Sequence, residues 1–227
     1  MYKMRTGSNF LSRQIRTKNI FKTMTYGIKA KADWKASDMN IVSGRYLNFR
    51  VYNALAAVCC GVFFKVPRKD IFQALKSFEF LQGRGQIVRL GRGWLINDTY
   101  NANPVSMRSA LQTLQAVETK GRRIFVAADM LELGNQSRAL HQAIGRAIGA
   151  AGVDVLITMG HLAGLMGPAG RRFNKKMQVF ACRNVESAQK CLAKVFHNGD
   201  AVLIKGSRRM HMEQVAEFLL ASPKGAG

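Results

Sequence analysis

The 227-residue sequence predicts an α/β fold with a mostly parallel sheet that carries helices on both faces. Strand-like and helix-like segments alternate along residues 94–221, which is the order expected of a parallel sheet with crossover helices. The predicted strands are apolar on both sides, as strands buried between two helical layers are. Polar loops follow these strands and therefore fall at the carboxyl edge, where such sheets bind ligands.

The pattern assigns each element in turn. Asn103 and Asn184 precede two predicted helices and are good N-caps, and Pro104 suits a first helical turn. The predicted helices are 51–64 (ending near Gly61), 68–78, one that begins at Pro104, 136–151, a short one after His161, 184–196 and 210–220. The predicted strands are a pair within 83–100 that turns at Gly91–Gly93, then 124–128, 153–160, 177–182 and 200–207.

Composition indicates a globular protein with a substantial core. Hydrophobic residues make up 48% of the chain and aromatic residues 9%, which excludes a disordered chain. The longest apolar run, residues 54–64, is too short to span a membrane, so we expect no membrane insertion. The four cysteines lack metal-ligand spacing, and we expect reduced thiols in an intracellular compartment and no metal site.

The charge is unusually basic. Lys and Arg number 35 against 13 Asp and Glu, for a formal net charge of +22. Such a field attracts polyanions, nucleic acid first and acidic membrane surfaces second, although a merely soluble basic surface is an alternative. Residues 1–32 contain no acidic residue, which is typical of a nucleic-acid-binding arm or an organelle targeting signal. We interpret residues 1–23 as a retained basic arm.

Several loop sequences together carry a family resemblance. "DTYNANPVSMRSAL" (98–111), "ADMLELG" (128–134), Leu140-His141 and "VLIKGSRRMHME" (202–213) occur in an order and spacing that resemble the Mur ligases. Within that family they resemble the members that join D-alanyl-D-alanine to a UDP-N-acetylmuramoyl-tripeptide. Three earlier segments resemble the end of the central ATPase domain of these enzymes: "TYGIKAKADWKA" (25–36), "VYNALAAVCCGV" (51–62) and "QGRGQ" (82–86).

The resemblance implies a domain plan and a set of site residues. Residues 24–93 would be a remnant of the central domain, 94–221 a C-terminal Rossmann-like domain, and 222–227 a tail. On matching positions, Asn53, Arg84 and Asp98 would lie on the ATP side. Asp suits ribose hydroxyls, and Arg neutralises phosphate charge. Four further residues would face the other substrates, although a turn and a helix cap would also account for the two asparagines: Asn101, Asn103, Lys205 and Ser207.

The chain departs from the family pattern in its catalytic parts. We find no Gly-rich phosphate loop ending in Gly-Lys-Ser/Thr, and "KGS" at 205–207 has the wrong order. The metal-binding carboxylate, the carbamylated lysine and the UDP-sugar domain of the family belong to regions without a counterpart here. Phe49 and Arg50 replace the His-Asn pair that usually precedes "VYNALAA". We therefore expect no catalytic residues and no cofactor, with ATP and magnesium needed only by an active ligase.

These observations favour a non-catalytic protein derived from a Mur ligase and built into a ribonucleoprotein, most naturally a mitochondrial ribosome. Its partners would be ribosomal or other structured RNA, and neighbouring proteins that cover the truncated central domain. The location would be the matrix of a mitochondrion or another organelle, with the bacterial cytoplasm as the alternative. The predicted RNA contacts are Arg5, Arg13, Arg16, Arg122, Arg123, Arg171, Arg172, Lys175, Lys176, Arg208 and Arg209.

Two other interpretations stay open from the sequence. The first is a truncated or split peptidoglycan ligase that joins D-alanyl-D-alanine to UDP-N-acetylmuramoyl-tripeptide with ATP and needs a partner chain for the phosphate loop. The retained "YNANP" (100–104) and "KGSR" (205–208) segments favour it. The second is a module that binds a small ligand in the old cleft without turnover.

Overall fold

A computed structural model describes residues 3–6, 23–27, 34–35, 48–78 and 82–222, with side chains described for 54–78 and 82–222. Contacts between residues divide the chain into two compact units. The first comprises Met1–Val42 and Leu47–Glu79, and the second comprises Ser43–Tyr46 and Phe80–Gly227.

The first unit contains a small parallel sheet and two helices. Its elements are β1 (Lys3–Thr6), β2 (Thr23–Gly27), β3 (Trp34–Lys35), α1 (Asn48–Phe63) and α2 (Arg68–Lys76), with the strands in the order β1-β2-β3. Strand β1 lies within the predicted basic arm and pairs with β2 in parallel. Helix α2 carries Asp70 in its first turn and Lys76 in its last, a distribution that complements the helix dipole.

The second unit is built on a six-stranded sheet in the order β4-β5-β9-β6-β7-β8. Only β4 runs antiparallel to its neighbour; the other pairings are parallel. The strands are β4 (Gln86–Leu90), β5 (Gly93–Asn97), β6 (Arg123–Ala128), β7 (Val155–Met159), β8 (Gln178–Cys182) and β9 (Ala201–Lys205). The helices are α3 (Pro104–Ala116), α4 (Ser137–Ala150), α5 (Met166–Arg171), α6 (Val185–Val195) and α7 (Glu213–Ala221).

The helices of the second unit cover both faces of its sheet, which confirms the predicted fold class. Along β6, Phe125 and Ala127 pack into one cluster together with residues of α3, α4 and α5. Ile124, Val126 and Ala128 pack into a second cluster with residues of α6 and α7. Successive side chains of a strand point to opposite faces, so a strand with a helical layer on each face is apolar throughout.

Strands β4 and β5 form a hairpin that lies wholly in the second unit. They pair over Gln86–Leu90 and Gly93–Asn97, and the chain turns at residues 91–92. The family resemblance implied a domain boundary at residues 93–94, between these two strands, and that boundary stays a prediction. The contacts group both strands in the second unit, because the ladder joins β4 to β5 and, through β5, to β9.

Local capping fixes the starts of α3 and α6. Asn103 accepts a hydrogen bond from the Ser106 amide at 2.8 Å, and the Ser106 hydroxyl accepts one from the Asn103 amide at 3.0 Å. Asn184 and Ser187 form the same reciprocal box. Both caps were predicted, and both are confirmed.

Helices α4 and α5 cross at two glycines. A Cβ atom at Gly145 would collide with the Met166 carbonyl, and one at Gly149 would collide with the Gly170 carbonyl. Helix α5, Met166–Arg171, is the short helix that the sequence predicted after His161, and that prediction is confirmed.

Candidate functional site

Polar loops follow four parallel strands at the carboxyl edge of the larger sheet. Asp98 directly follows β5, Asp129 follows β6, Gly160 follows β7, and Gly206 follows β9. Strands β5, β9, β6 and β7 are consecutive neighbours in the sheet, so these loops lie side by side. The carboxyl edge of an open parallel sheet is the usual ligand-binding position of this architecture.

A buried ion pair joins two of these loops. The Lys205 ammonium lies 2.6 Å from Asp98 Oδ2, and it also donates to the Asn101 carbonyl at 2.8 Å. The Lys205 side chain is 2% exposed, whereas that of Asp98 is 22% exposed. The family resemblance implied a contact between Lys205 and substrate, which stays a prediction. In the structure the Lys205 ammonium contacts the 98–101 loop and helps to hold it, while the Asp98 carboxylate is partly exposed.

Burial of Lys205 predicts a pH-dependent stability. Burial lowers the pKa of this ammonium below its ordinary value of 10.5, and the Asp98 carboxylate opposes the shift. Between the lowered pKa and 10.5, the unfolded chain holds a proton that the folded chain has lost. The free energy of unfolding therefore increases with pH across that range. Urea titrations at a series of alkaline pH values should show a smaller increase in Lys205→Met than in the parent chain, and equal slopes would contradict the assignment.

Ser207 is a second buried polar residue of this edge. Its hydroxyl accepts a hydrogen bond from the Leu131 amide at 2.8 Å and lies 3.5 Å from the Ala102 carbonyl, to which it donates. The residue is 4% exposed. Ser207 thus joins the loop after β9 to the loops after β5 and β6, and the contact with substrate that the resemblance implied for it stays a prediction.

The two asparagines of the 98–103 loop use their oxygens internally. Asn101 Oδ1 accepts from the Ala102 amide at 2.8 Å, and Asn103 Oδ1 caps α3. Both residues are exposed, and the described part of the chain offers no acceptor to either Nδ2 group. The turn and cap roles are therefore real, and each side chain still presents a donor at the ligand edge.

Tyr100 stacks against two guanidinium groups at this edge. Arg84 Cζ lies 3.7 Å from the centroid of the Tyr100 ring, and Arg208 Cζ lies 5.8 Å from it. Tyr100 is 41% exposed, and both arginines are exposed as well. The ring positions two cations close to the Asp98 loop, a suitable arrangement for an anionic ligand such as a phosphate chain. The sequence predicted Arg84 for the ATP side but did not single out Tyr100.

The loop after β6 is held by a buried histidine and a buried carboxylate. His141 Nε2 accepts from the Met130 amide at 2.9 Å, while its Nδ1 lies 2.7 Å from the Ser137 carbonyl. Asp129 Oδ1 accepts from the Ala163 amide at 2.6 Å. A Cβ atom at Gly160 would collide with the Asp129 carboxylate. Burial of His141 did not follow from the sequence pattern, because it depends on the contact between α4 and the loop after β6.

The tip of the same loop has an uncommon backbone conformation. Glu132 is exposed and has a φ of 63°, in the left-handed region that non-glycine residues seldom adopt. It is followed by Gly134, which has a φ of 57°. Such conformations cluster at binding sites, and this one places a carboxylate beside the ligand edge.

Two of the predicted RNA-contacting arginines are structural residues at the opposite, amino edge of the sheet. Arg122 forms an ion pair with the buried Asp200 carboxylate at 2.7 Å and also donates to the Val195 carbonyl. The Arg123 guanidinium donates to the carbonyls of residues 114 and 115 at the end of α3. Both arginines lie at or directly before the start of β6, where we expected exposed side chains. In the structure their guanidinium groups are instead held by these contacts.

The other predicted RNA contacts do not form one surface. Arg208 and Arg209 follow β9 at the carboxyl edge, whereas residues 171–176 precede β8 at the amino edge. Arg5 lies in β1, and its side chain is outside the described residues, as are Arg13 and Arg16. The Asn53 side chain, predicted for the ATP side, also falls outside them.

The described residues contain neither a metal-ligand cluster nor a membrane-spanning helix. Among them, no three His, Cys, Asp or Glu side chains group so as to hold a metal ion. None of the helices in the described ranges has the length and apolar character required to cross a membrane.

A parallel sheet with polar loops and exposed cations at its carboxyl edge defines a Rossmann-like ligand-binding domain. Residues 83–208 match the protein family described as "Mur ligase, glutamate ligase domain". This match covers more than half of the chain, and the chain therefore belongs to the Mur ligase family. The resemblance in the loop sequences is confirmed.

Several relatives share one name. The chain is 27% identical over 219 residues to the UDP-N-acetylmuramoyl-tripeptide–D-alanyl-D-alanine ligase of Bacillus subtilis (strain 168), covering 89% of this chain and 48% of the relative. It is 32% identical over 175 residues to the ligase of that name from Buchnera aphidicola subsp. Baizongia pistaciae (strain Bp), covering 75% and 36%. A crystal structure of MurF from Acinetobacter baumannii shares the fold with a TM-score of 0.76 and 24% identity, covering 89% and 48%. The chain spans about half or less of each relative.

These comparisons overturn the functional prediction based on charge. The relatives are bacterial ligases of peptidoglycan precursors, and none of these matches points to RNA or to a ribosome. The prediction of a non-catalytic, RNA-binding component of a mitochondrial ribosome is therefore wrong, together with its RNA partner and its organellar setting. Net charge misled because it does not distinguish anchored cations such as Arg122 from free ones.

Proposed function

We propose that this chain provides the nucleotide-facing and amino-acid-facing part of a ligase that joins D-alanyl-D-alanine to UDP-N-acetylmuramoyl-tripeptide with ATP, in the bacterial cytoplasm. The observation that carries the proposal is the carboxyl edge: a partly exposed Asp98 held by buried Lys205, beside the Arg84–Tyr100–Arg208 stack. The relatives named for this reaction support the choice of substrates.

The exposed groups suit the ligands of such a reaction. One oxygen of Asp98 is engaged by Lys205, so the other can accept from ribose hydroxyls. Arg84 and Arg208 would neutralise phosphate charge as it moves from nucleotide to carboxylate. The free amide nitrogens of Asn101 and Asn103 can donate to the carbonyl or carboxylate of an incoming dipeptide.

The residues that bind the phosphates of ATP would be supplied from outside this sequence. Within the described residues, no cluster of side chains suits a magnesium ion. We propose that the first unit, which ends at Glu79, is the end of a central ATPase domain, and that the residues that bind the phosphates are supplied from elsewhere. Exposed apolar side chains in the first unit support a covering segment, since Phe64 is 74% exposed and Phe72 is 62% exposed.

A chimaeric enzyme tests this function. The segment of the Bacillus subtilis ligase that precedes the aligned region would be fused to this chain, and ADP release would be measured with UDP-N-acetylmuramoyl-tripeptide and D-alanyl-D-alanine. We expect turnover that requires both substrates. A folded chimaera that binds ATP but shows no release dependent on D-alanyl-D-alanine would contradict the proposal.

Replacing Arg84 with methionine in that chimaera should lower kcat by about a hundred-fold, because one cation opposite the transferring phosphate is lost. Arg92→Gln is the matched control and should leave kcat unchanged. Arg92 is exposed in the turn that joins β4 to β5. Equal effects of the two substitutions would show that Arg84 acts only through overall charge.

A further inference from the structure

Residues 171–176, here called the basic turn, carry four cations and one phenyl ring on the surface. Arg171, Arg172, Lys175 and Lys176 are all exposed, and Phe173 is 59% exposed between the two pairs. The two cation pairs thus flank an apolar side chain that the described residues leave open to solvent. A single exposed apolar side chain is common on protein surfaces; what distinguishes Phe173 is its position between two pairs of cations.

The backbone of the basic turn is held in place. The Asn174 side chain donates to the Val153 carbonyl at 3.0 Å, and the Phe173 amide donates to the Gly170 carbonyl at 2.9 Å. Met177, which follows the turn, is buried. The backbone that carries Phe173 and the cations is therefore held in one conformation, which lowers the entropic cost of binding a partner.

Few acidic groups offset these cations. The sequence contains no Asp or Glu between Asp154 and Glu186. The Asp154 carboxylate accepts a hydrogen bond from the Arg123 amide at 2.8 Å, and Glu186 pairs with Lys190 on α6. The local charge of the turn is thus strongly positive and not internally neutralised.

The turn lies away from the candidate site. It directly precedes β8 and therefore belongs to the amino edge of the sheet, whereas Asp98 and Arg84 belong to the carboxyl edge. A partner that contacts the turn would leave the ligand edge accessible. The function proposed for that edge therefore does not account for the turn.

We propose that the basic turn binds the surface of an anionic lipid bilayer, with Phe173 entering the headgroup region. Lys and Arg next to such a surface gain electrostatic attraction, and an aromatic ring placed at the interface adds apolar burial. This contact is peripheral, because it involves one turn and no spanning segment.

The exposed ring favours a bilayer over a polynucleotide. Phosphate contacts alone need cations, whereas Phe173 gains most from an interface that has apolar depth behind its charged surface. One ring without a groove or neighbouring aromatic side chains in the turn gives a nucleic acid only a single stacking position. The basic composition of the whole chain would add attraction for any anionic surface. Binding through the turn must therefore be measured against this general attraction.

Co-sedimentation of the full 227-residue chain with vesicles tests the proposal. Vesicles of phosphatidylglycerol and phosphatidylcholine should bind the chain, and pure phosphatidylcholine vesicles should not. The double variant Arg172→Gln/Lys175→Gln should bind about thirty-fold more weakly, from the loss of two cations at the surface. Phe173→Ser should bind about ten-fold more weakly at unchanged net charge.

A charge-matched control separates the turn from overall charge. Arg92→Gln/Arg108→Gln removes two exposed cations elsewhere and should reduce binding by much less than the double variant of the turn. Equal losses in the two double variants, or no binding of the parent chain, would overturn the proposal. It would also be overturned if the chain ignored vesicles but bound a structured RNA through the turn.

Discussion

Replacing Asp98 with alanine is expected to lower the free energy of unfolding of the larger unit by about 4 kcal/mol, because it strands a buried cation. Lys205 is 2% exposed, and its ammonium would retain only carbonyl partners. The loss has an upper bound, because Lys205 can lose its proton instead of remaining a buried cation. At pH 7 this deprotonation costs about 5 kcal/mol for a lysine with an ordinary pKa. Urea denaturation followed by circular dichroism measures the change.

Replacing the other member of the ion pair, Lys205, should lower the free energy of unfolding by less. Lys205→Met leaves the Asp98 carboxylate, which is 22% exposed and can be hydrated, so we expect a loss of about 1–2 kcal/mol. The double variant Asp98→Ala/Lys205→Met should recover much of the loss seen in Asp98→Ala. If the two single changes cost the same and add in the double variant, the ion pair does not hold the loop.

Replacing Asp200 with alanine is expected to destabilise the opposite edge by about 3 kcal/mol, because several donors lose one buried acceptor. The Asp200 carboxylate accepts from the Arg122 amide at 2.8 Å, from its guanidinium at 2.7 Å and from the His197 amide at 2.9 Å. The partly exposed Arg122 can be hydrated after the change, which limits the loss. Thermal and urea unfolding would both report it.

Asp154→Ala is the matched control for Asp200→Ala. Asp154 lies at the same edge and also accepts from a backbone amide, that of Arg123, but it is exposed. We expect a loss of about 1 kcal/mol for this single hydrogen bond. A loss as large as that of Asp200→Ala would show that burial of the carboxylate is not the cause.

Sequence reasoning succeeded where structure is decided locally or by repeated pattern. The caps at Asn103 and Asn184 depend on residues within three positions, and both formed as predicted. The alternating strands and helices gave the fold class, because apolar strands such as β7 and β9 need cover on both faces. The loop motifs gave the family, because they are specific only in combination.

It failed where the outcome depends on distant parts of the chain. Burial of Lys205 was not foreseen, because its partners come from a loop more than a hundred residues earlier; its predicted role toward substrate stays a prediction. The stack of Tyr100 between Arg84 and Arg208 joins three separate segments. The RNA prediction summed the charges without knowing which of them are anchored.

The glycine crossing between α4 and α5 has a mechanical consequence. Gly145 and Gly149 allow the two backbones to touch, and α5 leads directly into the turn that carries Phe173. Any side chain added at either glycine must push α5 away and tilt the protruding ring with it. Gly145 and Gly149 are buried, yet they thereby influence the orientation of the exposed Phe173 ring. If the orientation of Phe173 matters, alanine at either glycine should be poorly tolerated.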